Sequence, residues 1–360
     1  MLRNLLYQNR IGKPSKVLVF LLLFFVNFSL AFSQSQIGGG SEIYLSRDYG
    51  ARALSLAGAY SAISDDPSTI LYNPAGLGFY RFEPTVSLYT GTLGLGRTAS
   101  FLGYAQQIND EFGIGLGVNG LYTGTFMGRD KFAEPTGELS NFQYTFIASG
   151  AYRIEFASVG VSLKYLTNNL IGSYTIGSGV SIDAGTKFNI MDLFSFSLAV
   201  RNLYGTIFWN TLESNRETIP FEIRSGVAMQ FGLNSETTQS RSTITGEVED
   251  YVLPPSRYIL VSLEGSFIEN SKTPSVLVGV EVAADEFITF RGGLDVYGEK
   301  YGTPQFAPLN KWGAGVSIKP DLNALFDNVP FSTSLDYSIT NEFLSPNKIA
   351  HHLSFTFVFE

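Results

Sequence analysis

From Pro84 to the end of the chain, apolar residues recur at every second position, the period that puts alternate side chains on opposite faces of a strand. The last segment is the plainest: Leu353, Phe355, Phe357 and Phe359 share one face, with Ser354 and Thr356 on the other. In the same way Phe331, Leu335, Tyr337 and Ile339 oppose Ser332, Ser334, Asp336 and Ser338, and Val159, Val161, Leu163 and Tyr165 oppose Gly160, Ser162 and Lys164. Such segments begin near Pro84, Thr98, Phe112, Asn141, Val159, Thr175, Phe194, Ile223, Ser256, Val276, Ile288, Trp312, Phe331 and Leu353, so the pattern predicts 14 strands. An even number returns the last strand to the side where the first began, as a single-chain outer-membrane barrel requires.

The second face decides between architectures. A soluble β-sandwich gives the same alternation, but its solvent face is usually rich in Lys, Glu and Thr. Here that face is mostly Gly and Ser with isolated charges, which suits a lumen packed with small side chains. The predicted fold is therefore all-β: a 14-stranded antiparallel transmembrane β-barrel over residues 83–360. The charges assigned to the lumen are Lys164, Asp183, Lys187, Arg201, Glu222, Arg224, Glu264, Glu281, Arg291, Asp295 and Asp336. Burial would demand pairing or water contact; they are expected to fill the bore and hold a plug, with the lining of a substrate route as the alternative. Tyr89, Tyr297, Trp312 and Phe359, near strand ends, are candidates for interfacial aromatic girdles.

With the first strand starting on the periplasmic side, the external loops are 91–97, 124–140, 168–174, 202–220, 269–273, 297–311 and 341–350, mostly longer than the internal turns. The internal segment 232–255 is an exception, read either as a periplasmic binding loop or as a missed strand; Asp321 to Phe326 reads as a short helix.

What precedes the barrel differs in texture. Residues 1–33 read as a secretion signal: Arg3, Arg10, Lys13 and Lys16, then an apolar run from Val17 to Leu30, then Ala31-Phe32-Ser33. Residues 34–47 read as a spacer. Over 48–82 small residues recur beside Leu54 and Leu56, Asp65 and Asp66 stand before Pro67 as acceptors for a helix start, and Asn73-Pro74-Ala75-Gly76 reads as a turn. This stretch is expected to form a compact hatch or plug.

Composition narrows the function. Charged residues are 16% of the chain against about 25% in a typical globular domain. The absence of Cys removes disulfides, thiolate nucleophiles and cysteine metal sites. Without the leader's four basic residues, 20 basic face 32 acidic ones, which argues against a nucleic-acid partner. The two histidines, His351 and His352, are adjacent in a strand and so point to opposite faces, a poor arrangement for metal or acid–base chemistry. Gly113, Gly115 and Gly117 lack the strand-to-helix setting of a nucleotide site. No catalytic residue, metal or cofactor is expected.

The stretch from Gly50 to Leu77 resembles the N-terminal signature of the FadL-like outer-membrane superfamily, on the branch containing the PorV and PorQ proteins of type IX secretion. The matching residues are Gly50-Ala51-Arg52-Ala53, Gly58-Ala59, Ala62, Asp65-Asp66 and above all Asn73-Pro74-Ala75-Gly76-Leu77. That resemblance implies a barrel in outer-membrane lipid with Asn73 to Leu77 in its hatch. It leaves two functions open. One is passage of small hydrophobic molecules across the outer membrane; the other is a non-enzymatic part in type IX secretion or cell-surface attachment, with proteins of that system as partners.

Overall fold

In a computed structural model, the structure describes residues 42–360 apart from 174, 191–192, 212–214, 235, 242–247, 254, 270, 272–273, 301–302, 306–310, 323–328, 343–348 and 360. The leader, the first part of the spacer and the short helix expected within 321–326 fall largely outside these residues.

Fourteen strands form one closed ring, each antiparallel to the next. The first seven are β1 Thr85–Gly94, β2 Arg97–Gln107, β3 Phe112–Arg129, β4 Pro135–Ile154, β5 Ala157–Ile171, β6 Thr175–Ile190 and β7 Phe194–Trp209. The second seven are β8 Glu222–Gly232, β9 Tyr258–Ile268, β10 Ser275–Ala283, β11 Ile288–Lys300, β12 Trp312–Ile318, β13 Phe331–Asn341 and β14 Ile349–Phe359. β14 closes the ring on β1, in register from Thr85 opposite Val358 to Thr92 opposite His351.

The orientation of the two faces is inverted relative to a soluble protein. On β5, Val159, Val161, Leu163 and Tyr165 are 50–59% exposed, while Ser158, Ser162 and Lys164 are buried. A sandwich would bury the valine row. A closed ring satisfies every backbone group without an edge, so this apolar exterior can sit in hydrocarbon.

Several expected boundaries shift. Residues 124–140 do not form a plain loop: β3 and β4 stay paired out to Arg129 opposite Pro135. β5 and β7 likewise run on to Ile171 and Trp209. Outside the membrane a strand needs no apolar face, so the two-residue period fades while ladder hydrogen bonds continue. A short strand, Arg216–Thr218, adds to the upper part of β7. Segment 232–255 contains two strands, Glu236–Arg241 and Val248–Leu253, that pair with each other and stay out of the ring. Tyr89 is corrected outright: it is buried inside the bore, where its hydroxyl meets His352 Nδ1 at 2.9 Å.

The bore is filled by the chain that leads into β1. Glu42, Tyr44 and Leu45, which the sequence reading places in the spacer, are buried as well. The filling segment consists of a 3-10 turn Ile43–Ser46, the short helices α1 Ala51–Ser55 and α2 Thr69–Tyr72, and a second 3-10 turn Pro74–Phe79. Tyr44 bonds Thr145 in the middle of β4. At the other end of the plug, the Gly78 carbonyl accepts from Gln107, the last residue of β2.

Candidate functional site: the plug and its seat

The Asn73-Pro74-Ala75-Gly76 turn is anchored through one side chain. Asn73 Oδ1 accepts from the Ala75 N–H at 3.1 Å, and Nδ2 donates to the carbonyls of Thr186 on β6 (3.0 Å) and Ser61 (3.3 Å). Pro74 starts the 3-10 turn where its missing N–H costs nothing. Gly76 donates to the Asn73 carbonyl at 3.0 Å, and Ala75 and Leu77 are fully buried. The wall accommodates this turn by having no side chain there. A Cβ at Gly185 would lie 2.1 Å from Asn73 Oδ1, and one at Gly160 would lie 2.4 Å from the Ala75 nitrogen. Lys187, one dyad along β6, donates to the Ile63 carbonyl.

Two ionic clusters hold the rest of the plug. In the first, Arg224 on β8 bonds Asp48 of the plug at 2.8 Å and Glu264 of β9, donates to the Gly58 carbonyl at 2.5 Å, and lies over the Tyr72 ring. Lys311 reaches the other Asp48 oxygen at 2.5 Å, and Glu264 also accepts the Ser61 N–H at 2.7 Å. Arg201 pairs with Glu222 at 2.8 Å and donates to the Leu45 carbonyl. In the second cluster, Arg52 of α1 forms a two-pronged pair with Glu281, both contacts at 2.9 Å, and bonds Asp65 at 2.6 Å. Arg291 continues it, joining Glu281 at 2.5 Å and Asp336 at 2.7 Å. At the rim where β2 begins and β13 ends, Glu342 links Arg47 of the plug at 3.2 Å with Arg97 at 3.3 Å.

Lys164 and Asp183 form a separate wall pair at 2.5 Å beside a bulge in β7. The register slips between Ile182 and Ala184, and Asn202 adopts φ 53°, which aims its N–H at Asp183 Oδ1, 2.7 Å away.

All eleven charges assigned to the lumen from the sequence are buried, and they lie on β5 to β13. Asp295 accepts the Tyr297 N–H at 3.2 Å. The sequence pattern assigns no ion-pair role to the plug partners Asp48, Arg52 and Arg47, although Arg52 belongs to the N-terminal signature; Asp48 and Arg52 flank Gly50 inside a small-residue run, where a charge is itself the signal. Asp65 and Asp66 separate in role. Asp66 does the helix-start work, accepting the Ser68 N–H at 2.8 Å. Asp65 is instead the partner of Arg52 and of the Tyr60 hydroxyl. His352 is buried between Tyr89 and Thr340, and His351 faces outward to Tyr337, on opposite faces as expected.

The opposite side of the bore mixes neutral polar residues such as Gln107, Asn119 and Thr145 with an apolar cluster. Tyr89, Leu93, Ala99, Phe101, Ala105, Ile147 and Ala151 of β1, β2 and β4 pack in one cluster with Tyr49, Leu54, Ile70, Leu77 and Tyr80 of the plug. Most of the ion pairs to the plug thus lie along β5–β13, whereas its larger apolar contacts form a seam along β1, β2 and β4, with Ala228, Leu260 and Ala350 completing the same cluster. The Gly- and Ser-rich pattern hid that seam, because it is built from a few scattered Ala, Leu and aromatic positions.

The plug carboxylates are tuned in opposite senses. Burial pushes Asp48 up, but Lys311 and Arg224 outweigh it and hold the carboxyl far below the ordinary range. Desolvation pushes Asp65 up as well, but the Arg52 charge beside it, with help from Lys187, leaves the carboxyl lowered. Burial raises Asp66; Arg52 offsets this in part, and the adjacent Asp65 adds to it.

No protein-family model matches the sequence, and no curated protein matches it either. Solved structures share the fold. A FadL homologue of Pseudomonas aeruginosa is similar with a TM-score of 0.53 at 10% identity, over 87% of this chain and 98% of that one. The CymD monoaromatic hydrocarbon channel is similar with a TM-score of 0.52 at 11% identity, over 89% and 99% of the two chains. At such identities the likeness establishes architecture: the chain is a multi-pass β-barrel of the outer-membrane type.

Proposed function

We propose that the protein passes small hydrophobic molecules across the outer membrane, along the apolar seam between the plug and β1–β4. The observation that carries this reading is the asymmetry of the bore: among the described residues the middle of the seam is packed by apolar side chains, with charge at its ends where Arg97 meets Glu342 and Arg153 lies over the Phe79 ring, whereas ion pairs grip the plug along the other side. A plug that pivots on its charged contacts opens a path where a hydrophobic solute sheds water without facing an unpaired charge. The fold likeness to a FadL homologue and a hydrocarbon channel supports the same substrate class. A role in type IX secretion draws only on the N-terminal signature around Asn73 to Leu77.

The test is uptake of radiolabelled toluene into proteoliposomes that enclose a hydrophobic trap, with and without the purified barrel, and with glucose as a polar control. Faster toluene entry with unchanged glucose entry is expected. Equal toluene entry with and without the barrel would sink the proposal.

A further inference from the structure

The outer wall carries a groove of about 670 Å³ across β3 to β7. Its rim is large and apolar: Leu116, Phe146, Leu163, Tyr165, Val180 and Tyr204. These side chains are 47–59% exposed and point into the membrane. Ala148 lies among them, and its single methyl leaves the depression that its bulkier neighbours surround.

The external end of this groove is not apolar. Arg216, on the short strand that pairs with β7, lies along the outward face of the wall. Its Nη2 donates to the Tyr204 hydroxyl at 3.0 Å, its Nε donates to Thr206 Oγ1 at 2.9 Å, and its guanidinium stacks 5.5 Å from the centre of the Phe208 ring. Tyr204 therefore belongs to both places: its ring lines the groove and its hydroxyl holds the cation. Among the described residues no carboxylate lies within ion-pair distance of Arg216, a group that favours two-pronged contact with phosphate.

We infer that this groove holds one anionic phospholipid, its acyl chain lying over Ala148 and its phosphate on Arg216. Two features of the wall fit that occupant and not a free hydrocarbon. The groove is continuous with the acyl-facing belt of β5, and the one cation at its edge stands at the external end of β7, at headgroup level. An arginine with partly satisfied donors at a membrane boundary is stabilised by a phosphate more than by water alone. This site is separate from the bore and does not depend on transport.

Native mass spectrometry of the full barrel, released from nanodiscs of equal phosphatidylglycerol and phosphatidylcholine, reads the inference directly. One retained lipid per barrel is expected, with phosphatidylglycerol enriched about fivefold by the charge-assisted contact. Arg216→Gln, on an exposed strand outside the ring, removes the enrichment. Ala148→Trp fills the groove and removes the retained lipid, with heat-modifiable gel migration confirming a folded barrel in both variants. Equal retention of the two lipids by the native chain, or enrichment that survives Arg216→Gln, overturns the assignment.

Discussion

The amide oxygen of Asn73 occupies the place that a Cβ on Gly185 would take, 2.1 Å away. A plug side chain and a wall glycine are thus two halves of one fit. Gly185→Ala is expected to push Asn73 off Thr186 and out of its own turn. Lost hydrogen bonds of this kind cost about 1–3 kcal/mol, so leak conductance in planar bilayers should rise while the barrel stays folded. Unchanged leak would mean that the turn relaxes without unseating.

Neutralising the clamp should have graded effects. Arg224→Gln leaves Asp48 with Lys311 alone and Glu264 buried without its cation; breaking a buried pair from one side costs about 3–5 kcal/mol. Arg291 touches only wall carboxylates and reaches the plug through Glu281 and Arg52. Both variants should leak, Arg224→Gln more than Arg291→Gln. If neither raises the leak, the ion pairs do not hold the plug.

Acidification should separate the plug carboxylates. Asp48 has a folded value far below its unfolded one, so its contribution is present above the unfolded value of 3.8 and is lost only as pH falls toward the depressed value. Asp66 is raised, so its charged form opposes seating, and protonation as pH falls toward the ordinary carboxylate range relieves that opposition. The native barrel should leak less on mild acidification, and Asp66→Asn, which keeps an acceptor for Ser68, should abolish that response. A leak that grows under mild acid would contradict the assigned signs.

On the lipid face, Leu163→Arg places a cation at a position that is 59% exposed to the membrane. The cost is about 2–4 kcal/mol if the site lies near the midplane. Urea titration of the barrel in lipid vesicles should show that loss, and a change under 1 kcal/mol, roughly the interfacial value, would place Leu163 at the edge of the membrane.

The strands were legible because the two-residue period is enforced wherever one face meets lipid and the other a packed bore; β6, for example, spans Thr175–Ile190 as the pattern predicts. The eleven lumen charges were legible for the same reason, since a charge on the small-residue face has only the bore to enter. Their partners were not, because strand alternation carries no information about which plug residue a wall residue meets. Arg52 reaches Glu281 across 229 positions of sequence. Tyr89 misled because an aromatic near a strand end suits a girdle equally well, and only its contact with His352 shows which face it takes. The upper parts of β3, β4 and β7 were missed where neither face touches lipid.

The seam between β1 and β14 has a consequence for biogenesis. The hydroxyl of Ser354, on the closing strand, accepts the Ala51 N–H at 2.9 Å, so the segment synthesised last locks onto one synthesised near the start. Seating of α1 and arrival of the last strand are thereby coupled, since the Ala51 N–H finds this partner only once β14 is in place.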